Sequence, residues 1–139
     1  MSTRAAVVDT GVLYAAVDAR EVDHRPCRAV LSSRGMRFFV PALIAAETTY
    51  LIGSRLGPDV EADFLAGLER FAVEAPEPGD WLRIAELVRS YRDFPLGGAD
   101  ASVVVLAERL NTDLILTLDR RHFAAIRPRH VEAFRLLPV

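Results

Sequence analysis

Short apolar runs alternate along this chain with longer stretches whose apolar residues recur at helical spacing. The run Ala5-Ala6-Val7-Val8, closed by Asp9, predicts a buried strand over residues 4–9. Residues 10–17 predict a short helix with Thr10 near its cap, and Asp23 introduces a helix over about 24–34, ended by Gly35. Arg37-Phe38-Phe39-Val40 predicts a second strand. Pro41 suits the first turn of the next helix, where its missing N–H does no harm, and Gly57 stops that helix after Leu56. A helix from Pro58 to about Phe71 and a brief strand at 72–75 follow. After the loop marked by Pro76, Pro78 and Gly79, the residues Trp81, Ile84, Leu87, Val88 and Tyr91 keep helical spacing. Pro95-Leu96-Gly97-Gly98 breaks the chain before an apolar helix Ala99–Leu110, a central-type strand Asp113–Leu118 and a last strand around 132–137. Strands alternating with helices predict an α/β fold on a mainly parallel sheet of about four or five strands, whose order the pattern does not give.

Four acids interrupt this pattern. Asp9 and Asp119 end the apolar runs Ala5–Val8 and Leu114–Leu118, while Glu47 and Asp100 lie inside apolar helical patterns. An isolated buried carboxylate is costly to ionise unless it is paired or holds a metal. In open α/β sheets ligands bind beyond the carboxyl ends of the strands, so Asp9 and Asp119 reach one crevice if their strands are neighbours. Around Glu47 the same-face residues are Leu43, Ile44, Tyr50 and Leu51, which predicts that it faces inward. Asp100 shares a face with Leu96, Val103, Val104 and Ala107, in the first turn of its helix, where the macrodipole favours a carboxylate. Taken singly, each acid has a structural explanation, as a cap, a helix-start residue or an arginine partner. Together they predict an oxygen-rich site for Mg²⁺ or Mn²⁺ rather than zinc, and with it metal-dependent phosphodiester cleavage.

Length and composition narrow the picture. The chain has 139 residues, 51% of them hydrophobic, which suits one domain over 1–139. No apolar stretch approaches the roughly 20 residues that span a bilayer, the first residues lack signal-peptide character, and Cys27 is the lone cysteine. A cytoplasmic protein without an intrachain disulfide is expected, with Cys27 a small buried hydrophobe. The net charge of −2 does not mark a general nucleic-acid binder. The tail is different: Arg120, Arg121, His122, Arg127, Arg129, His130 and Arg135 face one acid, Glu132. Arg120, Arg121, Arg127 and Arg129 are thus candidate RNA contacts. All 17 basic residues are arginine, so no lysine is present to form a Schiff base or a P-loop.

The quoted motifs resemble a known family. Val7-Val8-Asp9-Thr10-Gly11-Val12-Leu13, Pro41-Ala42-Leu43-Ile44-Ala45-Ala46-Glu47, Gly98-Ala99-Asp100-Ala101 and Leu116-Thr117-Leu118-Asp119-Arg120-Arg121-His122-Phe123 resemble the successive motifs of the PIN-domain ribonucleases. More narrowly, the chain resembles the VapC-type toxins of type II toxin–antitoxin pairs. The resemblance implies a PIN-like α/β/α sandwich. It implies Asp9 and Asp100 as principal Mg²⁺ ligands, Glu47 and Asp119 completing the acidic centre, and Asp119 counted with the metal ligands. Thr10 and Thr117 stand at hydroxyl positions of the family and are expected to support the site. An endoribonuclease is implied, acting on transfer RNA or a ribosomal RNA loop, dimeric with itself and inhibited by a VapB-type antitoxin.

Other residues carry blander expectations. His24, His122 and His130 lack zinc spacing and read as surface or packing residues, though His122 is near enough to Asp119 to touch a phosphate. Asp18 and Asp23 read as loop and cap residues rather than an extension of the acidic rim, and Trp81, Tyr91 and Phe94 as core rather than a base-stacking platform. Two other functions fit a small α/β domain with clustered acids. One is a receiver-like phosphoacceptor, which the absence of lysine disfavours. The other is a non-catalytic PIN-like module whose acids grip a partner's arginines.

Overall fold

A computed structural model describes residues 3–139. Five strands form one sheet: β1 (Arg4–Val8), β2 (Met36–Pro41), β3 (Ala72–Glu74), β4 (Leu114–Leu116) and β5 (Arg135–Leu137). Their order is β3-β2-β1-β4-β5, and every neighbouring pair is parallel. The seven helices of the described residues are α1 (Thr10–Val17), α2 (His24–Leu31), α3 (Ala42–Leu56), α4 (Pro58–Gly67), α5 (Asp80–Ser90), α6 (Gly98–Leu110) and α7 (Arg120–Ala125). The sheet grows from β1 to β3 in one direction, and β4 then returns to the other side of β1. Right-handed crossovers therefore place the helices before β3 on one face and those after it on the other, an α/β/α sandwich. No helix among the described residues is long and apolar enough to cross a membrane.

The central strands are apolar because both their faces are covered. Val7, Val8, Ile115 and Leu116 are fully buried and pair in register, Val7 with Ile115 and Val8 with Leu116. Behind them α6 is buried along the run Ala101–Ala107, so it is the central helix rather than a half-exposed one. Asn111 ends it in the left-handed conformation at φ 53°, with the Thr112 N–H reaching back to the Ala107 carbonyl.

The predicted elements are all present, with shifted limits. The helix after Asp23 stops at Leu31 instead of running to about 34, and the one after Gly57 stops at Gly67, followed by a 3₁₀ turn at Leu68–Arg70. Pro41 is the last residue of β2 and the N-cap of α3, not part of its first turn. The strand expected over 113–118 ends at Leu116, because Thr117 and Leu118 already belong to the turn into α7, a helix the pattern did not predict. Six residues are too few for a helical period to be visible. The observed order also differs from the 2-1-3-4-5 order of receiver-like folds and removes the structural ground for that alternative.

Candidate active site

The sheet reverses direction between β1 and β4, and such a switch point opens a crevice at the carboxyl ends of the strands. Asp9 follows β1 directly. It is 6% exposed, its backbone N–H bonds the Leu116 carbonyl of β4, and it caps α1 by accepting the Thr10 N–H at 2.9 Å. Its other oxygen accepts the Thr117 hydroxyl at 2.8 Å. That hydroxyl in turn accepts the Asp119 N–H at 2.9 Å, so Thr117 bridges the two acids that end neighbouring strands. Burial raises the Asp9 carboxyl to about 7; Asp100 and then Glu47 add to the rise, against the two hydrogen bonds.

Asp119 caps α7. One oxygen accepts the His122 N–H at 3.3 Å, and the other lies 2.6 Å from His122 Nδ1. An ionised carboxylate can only accept, so Nδ1 carries the proton of that bond. The His122 ring lies 4.7 Å from the ring of Phe94, over which the Arg121 guanidinium also sits, at 5.4 Å. His122 had read as a surface or packing residue; the available signal was its place three residues after Asp119, which a helix turns to the same side.

Asp100 stands in the first turn of α6 and is half-buried. Desolvation raises its carboxyl above the ordinary range, with Glu47 and Asp119 adding to the rise and His122 opposing it. The helix dipole alone would act in the other direction. Glu47 corrects the reading of α3. The inward stripe of that helix is Ile44, Thr48 and Ile52, while Glu47 is exposed and Tyr50 is 72% exposed. Four-residue steps bury that stripe, and Glu47, one residue short of Thr48, looks out of the core. Since α3 packs on α6, it still contributes charge to Asp9 and Asp100.

The four acids thus form one electrostatic unit, and its chemistry suits a divalent cation. Among the described residues no ion pair reaches Asp9, Glu47 or Asp100. Thr10 Oγ1, beside Asp9, is a buried oxygen without a hydrogen-bond partner. All donors are oxygens, the set that Mg²⁺ and Mn²⁺ prefer. No three acids, histidines or cysteines among the described residues are drawn close enough to enclose an ion as they stand.

The arginines of the tail have different partners. Arg120 is exposed and donates to the carbonyls of Leu136 and Pro138 at 3.3 and 3.1 Å, so it clasps the end of β5. Arg121 and Arg127 are exposed, the first beside His122. Arg129 is held by Glu86 and, through its backbone N–H, by Glu108, which itself receives a two-pronged contact from Arg83 at 3.0 and 2.8 Å. Glu108 belongs to the last turn of α6, away from Asp100 in the first. His24 and His130 donate to the Ala15 and Thr112 carbonyls, Cys27 is fully buried and its thiol pushed up to about 11 by burial, and Asp18 and Asp23 sit at helix ends as expected. Trp81 departs from expectation: it is 54% exposed at the start of α5, where Ile84 and Leu87 supply the buried face.

Comparison with known proteins agrees with this geometry. Residues 6–127 match the PIN domain. Ribonuclease VapC26 of Mycobacterium tuberculosis is 39% identical over 134 residues, which is 95% of this chain and 99% of the relative. The crystal structure of Mycobacterium tuberculosis VapC20, a sarcin–ricin loop cleaving toxin, superposes with a TM-score of 0.80 at 17% identity, covering 92% of this chain and 98% of that one. VapBC2 from Rickettsia felis, bound to a DNA fragment from its promoter, gives 0.70 at 13% identity, over 96% of this chain and 99% of that one. At these identities the two structures speak for the fold, whereas the sequence relative and the PIN match speak for kinship. With its acids gathered at the switch point, the chain belongs to the PIN-domain family and, within it, to the VapC ribonucleases.

Proposed function

We propose that this endoribonuclease works with Mg²⁺, with Mn²⁺ able to substitute, and cleaves a structured RNA through Asp9, Glu47, Asp100 and Asp119. The observation that carries the reading is the accumulation of these acids at the β1/β4 switch point, where, among the described residues, no ion pair reaches Asp9, Glu47 or Asp100. Asp9, Asp100 and Asp119 would hold the cation. When bound, it supplies water activation and positive charge for the reacting phosphate. Thr117 fixes the Asp9 carboxylate and the Asp119 backbone together, and Thr10 Oγ1 offers one more oxygen. Glu47, the exposed member, is left to orient water or take its proton.

Arg120, Arg121, Arg127 and Arg129 are all exposed and could meet RNA phosphates, Arg129 with Glu86 as a competing partner. Transfer RNA and a ribosomal RNA loop are both fitting substrates, since looped segments are the readable parts of RNA. The VapC20 neighbour, which cleaves the sarcin–ricin loop, supports testing the ribosomal target early. As a toxin the chain would pair with a VapB-type antitoxin, a reading supported by the toxin–antitoxin complexes from Rickettsia felis and Klebsiella pneumoniae among its structural neighbours. A homodimer of single 139-residue domains in the cytoplasm completes the proposal.

The test is incubation of total bacterial RNA with the purified protein, with Mg²⁺, Mn²⁺ or EDTA, beside Asp100→Asn. Discrete fragments that need the cation and vanish in the variant are expected. Equal cleavage by the variant would overturn the site assignment. A protein that neither binds Mn²⁺ nor cuts RNA would be the non-catalytic binding module instead.

A further inference from the structure

The hydroxyl of Thr117 accounts for how Asp9 is held, but Asp119 stands on a turn with a 41% exposed side chain and needs its own restraint. The restraint is His122. It supplies two contacts to the Asp119 carboxylate, the backbone N–H to Oδ1 and the ring Nδ1 to Oδ2 at 2.6 Å. The ring is only 25% exposed and is not free to swing, because it rests 4.7 Å from Phe94. Phe94 lies in the turn between α5 and α6, a few residues before Asp100. The packing of His122 on Phe94 therefore joins the start of α7, where Asp119 sits, to the segment leading into α6, where Asp100 sits.

We propose that His122, seated on Phe94, is a positioning residue of the acidic centre: it aims the Asp119 carboxylate and ties its place to that of Asp100. The proposal rests on the reading of these acids as the cation and phosphodiester site. A carboxylate that binds a cation is itself commonly hydrogen-bonded, and loss of that outer partner typically costs 10- to 100-fold in metal affinity or activity. His122 is suited to the task by chemistry as well as place. Its Nδ1 occupies one Asp119 oxygen through a single hydrogen bond, which leaves further lone pairs on both oxygens for a ligand. The Asp119 backbone is fixed independently, by its N–H to Thr117, so removal of the imidazole changes the aim of the side chain without releasing the chain.

The experiment measures Mn²⁺ binding by calorimetry and RNA cleavage for the wild type, His122→Asn, His122→Gln and Phe94→Leu, with the metal-free unfolding temperature of each. The Asn amide reaches the place of Nδ1, whereas the Gln amide reaches that of Nε2. His122→Asn is expected to keep Mn²⁺ affinity within about 3-fold of wild type, and His122→Gln to lose about 10-fold or more. Phe94→Leu is expected to weaken Mn²⁺ binding in the same direction by a smaller factor. Cleavage at saturating Mn²⁺ should recover more fully in His122→Asn than in His122→Gln. Wild-type Mn²⁺ affinity in both His122 variants would overturn the proposal, as would Gln preserving binding where Asn does not, which would assign His122 to the RNA through Nε2. A wild type that binds no Mn²⁺ would instead strike at the nuclease site itself, a separate failure visible before any variant is compared.

Discussion

Helix α1 carries a buried carboxylate at each end, and the two behave in opposite ways. Asp9 caps its N-terminus and Asp18 its C-terminus, at 6% and 7% exposure. The helix dipole favours negative charge at the first and disfavours it at the second. The outcome is the reverse: Asp9 is raised to about 7, while Asp18 is lowered to about 2. Partners decide. Asp18 accepts the Arg20 side chain and backbone N–H and the Tyr14 hydroxyl, the last at 2.8 Å. Asp9 has a neutral hydroxyl and one backbone N–H, and looks toward two more acids. The charge of Asp18 is answered within the chain, and that of Asp9 has no cationic partner among the described residues.

The sharpest way to break this contrast is to neutralise each acid. Asp9→Asn should lower RNA cleavage at least about a hundredfold, since loss of a mere outer partner of a metal ligand already reaches that scale. Asp18→Asn should leave cleavage near wild type but lower the unfolding temperature. A catalytic loss in Asp18→Asn at a temperature where it is folded would end the division of roles. Next in size is Thr117→Val, which keeps the shape, removes the bridge and leaves the Asp119 N–H without its acceptor. Cleavage should fall about 10- to 100-fold, and stability by about 1–3 kcal/mol for the unsatisfied donor, read by denaturant unfolding of the metal-free protein.

The two acids should also pull the pH dependence of stability in opposite directions. With its folded value raised above 3.8, Asp9 adds stability that is fully present below about 3.8 and is lost as pH rises through about 7. Asp18, with its folded value lowered, adds stability present above about 3.8 and lost as pH falls through about 2. In metal-free protein, Asp9→Asn should therefore flatten the decline between pH 4 and 7, and Asp18→Asn should flatten the loss on the acid side. Mn²⁺ at pH 8 should stabilise the wild type by binding its native state, and do so far less in Asp9→Asn. The smallest effect extends the same logic to cations. Arg121→Ala should weaken RNA binding and reduce its salt slope by about one, whereas Arg129→Ala, whose charge Glu86 already answers, should leave the slope unchanged.

Much of this was legible in the residues, for identifiable reasons. Val7, Val8, Ile115 and Leu116 are buried on both faces, so their strands read as unbroken apolar runs and the acids that end them stood out. The four motifs carried the family resemblance, and the acids they named share one electrostatic environment. Glu47 was misread because Leu43, Tyr50 and Leu51 suggested a stripe that the fold does not bury; an apolar residue on an outer face looks the same in sequence as one in the core. The short α7 escaped because six residues show no period, so the nearness of His122 to Asp119 was legible but not the bond between them. The partners of Arg129, Glu86 and Glu108, lie 43 and 21 positions away, and local sequence carries no trace of them.

The bond between Thr117 and Asp9 spans 108 positions of the chain. On a ribosome, synthesis proceeds at roughly 5–20 residues per second, so the first acid waits many seconds for the strand that completes its pocket. A chain broken off before β4 has Asp9, Glu47 and Asp100 but neither Thr117 nor Asp119, and nothing to pair the open side of β1. The acidic site is therefore assembled only when the last 26 residues, from Leu114 onward, have been made.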